Sequence, residues 1–340
     1  MKIRSEAGCS GPAVATNRLE SPLHMRRVAL IYNPASGQGS SRRSLAIKQA
    51  MAVLQDAGIE AETIETHAPG SAGALAAQAV QLGCDTIIAC GGDGTVHEVL
   101  QSIVGTDVAL GVIPLGTANA LAADLGLQTT PVKAMRRLLA AQPVRISVGR
   151  IFYRNGVGQE HARYFTVAAG VGADALFLSR LDSGLKRKFG YLLYLVEAFK
   201  VWATHSFPLF EAIFEECGSC QPKTMEISQL LVVRIRDFGG VLHNLVPGAT
   251  LHNDGLRLLA FKTRSRYSYF RFLIAVVFSR QTFKGEIELL DAVSVECRPR
   301  NRSRTRVFAE ADGELLGNLP VRIEIVPNAV NLLIPPNAMP

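Results

Sequence analysis

The chain is predicted to join an N-terminal α/β domain, a parallel sheet with helices on both faces, to a mainly antiparallel β-sandwich second domain. Three observations predict it. At 340 residues the chain is too long for one ordinary domain and comfortable for two. Between Arg26 and Leu125, short apolar runs alternate with stretches of helical period through brief glycine-rich turns, the grammar of a parallel sheet. After Pro143 that grammar stops, and short runs of alternating or mixed pattern follow one another. Hydrophobic residues make up 48% and charged ones 19%, so a sizeable core is available and global disorder is excluded.

The elements follow in order. Val28–Tyr32 is a short apolar strand ended by Asn33-Pro34 and a Ser/Gly loop to Gly39. Leu45, Ile47, Ala50, Met51 and Leu54 recur at helical spacing until Gly58. Ile59–Thr66 reads as a strand and Ala72–Leu82 as an alanine-rich helix. Thr86–Cys90 and Ala109–Ile113 read as buried strands, followed by helices over Thr95–Val104 and Asn119–Leu125. Beyond Pro143, strands are expected at Val144–Tyr153, Tyr164–Ala169, Phe207–Phe214, Ile227–Ile235, Leu256–Phe261, Val293–Cys297 and Arg306–Ala309. Helices are expected only at Leu185–Ala203 and Tyr267–Phe278, and late strands at Val321–Val326 and Asn331–Ile334.

Charge narrows the partners. Lys plus Arg minus Asp plus Glu is 36 − 29 = +7, which favours an anionic partner: a nucleotide, a phospholipid surface or nucleic acid. With 7% aromatics and one Trp, a stacking platform for single strands is disfavoured. Six scattered cysteines do not form a disulfide framework and fit a reducing compartment, so a cytoplasmic protein is expected. No segment is long and apolar enough to span a membrane, and Met1–His24 lacks the apolar core of a signal peptide. Residues 1–24 read as a disordered extension, or as an upstream start with Met25 opening the folded chain.

Chemistry concentrates in three loops. Cys90-Gly-Gly-Asp-Gly-Thr95 lies between a buried strand and a helix start, where glycines let backbone N–H groups close around an anion and the helix dipole adds attraction. Thr95 is positioned to cap that helix. No Walker lysine is present, and the spacing is not the dinucleotide fingerprint. Asp93 inside an anion nest makes sense if it holds Mg²⁺ or orients an attacking hydroxyl; alone, it would equally suit a glycine turn whose Asp caps a helix. Asn33-Pro34-Ala-Ser-Gly37-Gln-Gly39 and Pro114-Leu-Gly116-Thr117-Ala-Asn119 end two other strands at the same sheet edge. Three such loops together describe a phosphate cradle.

These motifs, with Ala311-Asp312-Gly313-Glu314 after them, resemble in kind and order the diacylglycerol kinase catalytic family, which includes bacterial lipid kinases and sphingosine and ceramide kinases. The similarity runs from about Arg26 to Ile334 and implies a fold of the NAD kinase/diacylglycerol kinase type. It further implies ATP bound by Asn33, Thr66, Gly92, Asp93, Gly94, Thr95, Val96, His97, Glu98 and Thr117. Glu314 would be the general base for a lipid hydroxyl, a role that the sphingosine kinase branch gives to the match of Asp93. A structural Mg²⁺ would be held by Asp254 and by the carbonyls of Leu251 and Leu256. His97 stands where Asn is usual and Ala120 where Asp is usual, which brings sphingoid-base and ceramide-type acceptors in beside a diacylglycerol-like one. NAD kinase and a non-catalytic nucleotide or lipid binder are the further alternatives. On this reading residues 25–143 form the nucleotide-binding domain, with 327–340 returning to it, and 144–326 form the lipid-substrate domain. The implied partners are ATP and a lipid at a membrane surface; a homodimer is left open.

Remaining features carry less. Cys217-Gly-Ser-Cys220 has no second ligand pair and reads as a loop. Lys186-Arg-Lys188 with Tyr191, Tyr194, Phe199 and Trp202 makes a basic aromatic helix, a lipid-cleft element or a packed helix with a wet basic end. Arg298, Arg300, Arg302, Arg304 and Arg306 would share one strand face, toward an anionic membrane or as a charge-protected edge. Nucleic acid is not expected, since no binding motif accompanies them.

Overall fold

The computed structural model describes residues 25–34, 40–173, 175, 204–216, 218, 221–238, 245–277, 285–300 and 306–338. The N-terminal extension, residues 35–39 of the first loop, the expected helix at 185–203, Cys217, Cys220, Arg302 and Arg304 lie outside them.

Strands β1 (Arg27–Tyr32), β2 (Glu60–Glu65), β3 (Thr86–Gly91) and β4 (Ala109–Pro114) run parallel in the order β4-β3-β1-β2. All six residues of β3 are buried, as an unbroken apolar run requires when both sheet faces are covered. The edge strand β2 instead carries Glu60, Glu62 and Glu65, charges that discourage pairing with another chain. Helices α1 (Ser40–Asp56), α2 (Ser71–Gln81), α3 (Asp93–Ile103) and α4 (Ala120–Asp124) follow β1 to β4 in turn. A fifth, α5 (Pro131–Leu139), was not expected; Thr130 precedes it, Pro131 opens it, and Ala134, Met135 and Leu138 form its buried face.

The second half is mostly antiparallel. It comprises β5 (Gln142–Arg154), β6 (Glu160–Phe165), β7 (Ala168–Val171), β8 (Phe210–Glu215), β9 (Lys223–Ile227), β10 (Gln229–Val233), β11 (Leu256–Phe261), α6 (Arg266–Val277), β12 (Ile287–Ala292), β13 (Ser294–Pro299), β14 (Phe308–Ala311) and β15 (Glu314–Ile334). Its sandwich core is a cluster of fully buried side chains that includes Ile151, Phe165, Phe210, Phe214, Leu230, Leu258, Val295 and Ile323.

Several boundaries differ from the sequence pattern for local reasons. The run Tyr164–Ala169 is split between β6 and β7, because the Asp312 carboxylate takes the backbone N–H groups of Thr166, Val167 and Ala168 out of the ladder. Likewise Ile227–Ile235 breaks at Ser228, whose hydroxyl and amide both turn to the Phe261 carbonyl. The two late strands are stretches of one strand, β15. It pairs antiparallel with β5, β13 and β14, and parallel with β4 through Asn331 and Leu332. One strand therefore joins the parallel strands and the antiparallel ones into a single continuous sheet.

Candidate active site

The parallel strands deliver four loops to one edge. Asn33 follows β1 and donates its N–H to the Cys90 carbonyl (3.2 Å); Thr66, 7% exposed, follows β2 and donates to the Tyr32 carbonyl (3.0 Å). Leu115, after β4, donates to the Gly91 carbonyl (2.8 Å). Asn33, Thr66, the 92–98 stretch and Thr117 thus stand on neighbouring carboxyl ends, where open α/β sheets bind ligands.

Helix α3 begins at Asp93, earlier than its hydrophobic period implies. Its N-cap is Gly92 and no side chain caps it, so Thr95 is a buried residue of the first turn rather than the cap. The amides of Thr95 and Val96 turn back to the Gly92 carbonyl (3.0 and 3.3 Å), and the dipole at this end of the helix favours an anion. The glycines divide the work. A Cβ on Gly116 would lie 2.5 Å from the Cα of Gly92, so the two loops touch backbone to backbone. A Cβ on Gly94 would meet nothing within 4 Å, so no packing within the protein accounts for this glycine and the space above it is open.

Asp93 binds the loops together. One carboxylate oxygen accepts the N–H of Asn119 (2.9 Å) and the other that of Ala120 (2.7 Å). Asn119 sits in the left-handed region at φ 52° and clasps Gly116 through both ends of its side-chain amide. Burial pushes the Asp93 carboxyl above its ordinary range, and the two amide donors oppose that. Glu98, one turn on, accepts the N–H groups of Gly70 (2.7 Å) and Ala72 (2.9 Å) and so holds the first turn of α2.

His97 connects this cradle to the second half of the chain. Strands β14 and β15 are joined by Asp312-Gly313, both at positive φ (47° and 84°), the tight hairpin turn that an Asp-Gly pair favours. The turn sets two carboxylates against the buried His97. Asp312 Oδ2 lies 3.5 Å from Nδ1, and Glu314 Oε2 lies 3.3 Å from Nε2. The second contact has the distance of an ion pair without the alignment of a hydrogen bond. Asp312 is 4% exposed at its side chain and fixed by three backbone N–H groups; Glu314 is 40% exposed and looks outward. Burial alone would lower the imidazole pKa, but the two carboxylates outweigh it and hold His97 at about 9. In return, His97 holds the Glu314 carboxyl below its ordinary range, against the effect of its partial burial.

Residues 27–151 match the model of the diacylglycerol kinase catalytic domain, and residues 166–334 that of the YegS C-terminal NAD kinase beta sandwich-like domain. A diacylglycerol kinase of Mycobacterium tuberculosis (strain ATCC 25618 / H37Rv) is 30% identical over 320 residues, covering 91% of this chain and 95% of its own. The chain belongs to the diacylglycerol kinase family. A diacylglycerol kinase of Bacillus subtilis (strain 168) is 31% identical over 244 residues, 68% of this chain and 72% of that protein. A solved diacylglycerol kinase structure from Bacillus anthracis str. Sterne shares the fold at a TM-score of 0.65 and 19% identity, covering 92% of this chain and 98% of that one. Membership makes this chain a kinase, a phosphotransferase.

The expected structural Mg²⁺ site of this kinase does not fit a cation. Arg234, 1% exposed, donates from Nη2 to the Leu251 carbonyl (3.2 Å), one of the expected metal ligands, and from Nη1 to the carbonyls of Asn253 (3.0 Å) and Gly255 (2.9 Å). Asp254, the expected carboxylate ligand, accepts the Ser147 hydroxyl at 2.6 Å, and Leu256 opens β11. Sequence reasoning missed Arg234, Asp312 as the residue that orients His97, and Gln101, whose amide ties the His97 carbonyl to both backbone polar groups of Tyr164. A single arginine inside the run Leu230–Ile235 was the available signal for the first. Of the expected arginine face, Arg298 pairs with Glu296 and Arg300 with Glu226.

Proposed function

We propose that this kinase transfers the γ-phosphoryl group of ATP to the hydroxyl of a diacylglycerol-like lipid, with Glu314 as the group that receives the hydroxyl proton. The observation that carries this reading is the His97 bridge. It joins the helix whose N-terminus faces the open cradle to the hairpin that presents Glu314.

The nucleotide phosphates lie over Gly92–Thr95, with Asn33, Thr66 and Thr117 around them. Mg²⁺ accompanies ATP and offsets phosphate charge. Asp93 keeps the two glycine loops in register through its backbone contacts, so its part is to shape the cradle. Glu314, whose carboxyl His97 holds below its ordinary range, hydrogen-bonds the lipid hydroxyl and aims its oxygen at the γ-phosphorus. As the new P–O bond forms and the bond to the β-phosphate bridge oxygen breaks, the hydroxyl proton passes to Glu314 and ADP leaves. A weak base suffices, because the loose transition state needs the proton late. The lipid is met at a membrane surface from the cytoplasmic side; among the described residues no helix is long and apolar enough to cross a membrane.

Glu314→Gln should leave ATP affinity unchanged and reduce turnover on diacylglycerol vesicles by about 10²–10⁴-fold, the usual contribution of a positioned acid–base group. Parental turnover at saturating lipid would remove Glu314 from the role. A sphingoid-base or ceramide-type acceptor is the second reading, favoured by His97 in place of the usual Asn. Faster turnover of those lipids in the same assay would select it.

A further inference from the structure

We infer that the guanidinium of Arg234 takes the place of a structural cation at the 251–256 loop, so that the β-sandwich of this kinase is held together without a bound metal. The inference stands apart from the choice of lipid and from the identity of the base.

Arg234 follows β10 and is the largest fully buried side chain among the described residues. Its four Nη hydrogens reach four carbonyl oxygens: Asn253 and Gly255 from Nη1, Leu251 (3.2 Å) and Ser147 (2.7 Å) from Nη2. Only Nε lacks a protein partner. These carbonyls belong to β5, through Ser147, and to the loop entering β11. One guanidinium therefore cross-links three elements, as an ion with converging oxygen ligands would.

A buried charge is tolerated only when it is hydrogen-bonded and balanced. The four donors meet the first need. Asp254, a carboxylate of the same loop, meets the second at longer range, and a guanidinium keeps its charge at neutral pH. Asp254 itself is steered by the Ser147 hydroxyl, so Ser147 serves both charges, the carboxylate through its side chain and the guanidinium through its carbonyl. Mg²⁺ demands near-octahedral oxygen ligands at about 2.0–2.1 Å and keeps several waters. With a guanidinium already on the Leu251 carbonyl and on two more carbonyls of the same loop, a divalent ion would face a fixed positive charge within its own ligand set. The planar fork fills the same electrostatic need with directional bonds.

The test needs no enzyme assay. The thermal midpoint of the nucleotide-free full chain is measured after EDTA treatment and dialysis, with and without added Mg²⁺ or Mn²⁺, alongside elemental analysis of the untreated protein. The inference expects one midpoint under all conditions and less than stoichiometric metal. A midpoint that falls with EDTA and recovers with Mg²⁺, together with one bound ion per chain, would overturn it. Arg234→Met, which keeps the volume and removes the charge and the fork, should lower the midpoint strongly or prevent folding; an unchanged midpoint would equally overturn it. The measurements on the parental chain decide the matter even if the variant does not fold.

Discussion

At the scale of single residues, the site rests on charges that perturb one another. His97 is raised from an ordinary value of 6.5 to about 9 by Asp312 and Glu314, so the folded state binds its proton more tightly than the unfolded chain does. The stability this contributes is complete below pH about 6.5 and is lost as pH rises through about 9. His97→Asn abolishes it. The difference in unfolding free energy between parent and variant, measured by denaturant titration, should therefore narrow steadily between pH 6.5 and pH 9. A constant difference across that window would show that His97 is not held charged between its carboxylates. Asp93 drew notice in the sequence as a carboxylate within a glycine nest beside two other glycine-bearing loops, and Glu314 only through the family resemblance of its motif. The work of Asp312 was not legible, since its three amide partners lie 144–146 positions away. Arg234 was hidden for the opposite reason: one charge in an apolar run reads as an interruption until its carbonyl partners are known.

At the scale of elements, the order β1 to β4 with helices between them could be read directly, because an unbroken apolar strand and a 3.6-residue period are local patterns. What failed included features decided by a partner far along the chain, the bend between β6 and β7 and the continuity of β15, although α5 was missed despite its local Thr130-Pro131 start. The start of α3 shows how element and chemistry meet. Asp93-Gly94-Thr95 forms its first turn, and Gly94 is exposed with free space where a side chain would be. Gly94→Val should leave the unfolding midpoint within a few degrees of the parent, since its Cβ touches nothing and glycine costs about 0.5–1 kcal/mol in a helix interior relative to alanine. It should nevertheless weaken ATP binding by about ten-fold or more, a loss of roughly 1.4 kcal/mol, by standing where the phosphates approach the amides. Undiminished affinity by direct titration would move the nucleotide off this helix.

At the scale of the molecule, β15 runs through both halves and pairs with strands of each. Its first residues build the carboxylate hairpin, and its middle pairs with β5 and β13 in the sandwich. Its end pairs with β4 and β5, adding Val330, Leu332, Leu333 and Ile334 to the core of the α/β half, none more than 2% exposed. Asn331 adds a hydrogen bond from its side chain to the Asp107 carbonyl (2.9 Å), and the Ala329 carbonyl receives the Gly105 N–H (2.8 Å). A chain ending at Val326 keeps every expected catalytic and nucleotide-binding residue and loses this end. Four large apolar side chains at about 1.5–3 kcal/mol each amount to roughly 6–12 kcal/mol, comparable to the whole stability of a typical native protein, about 5–15 kcal/mol. The truncated chain should therefore show no cooperative thermal transition in either half, whereas the full chain should unfold in a single step. Calorimetry distinguishes the outcomes. A truncated protein that keeps a sharp transition for its sandwich would mean that β15 joins two units able to fold separately.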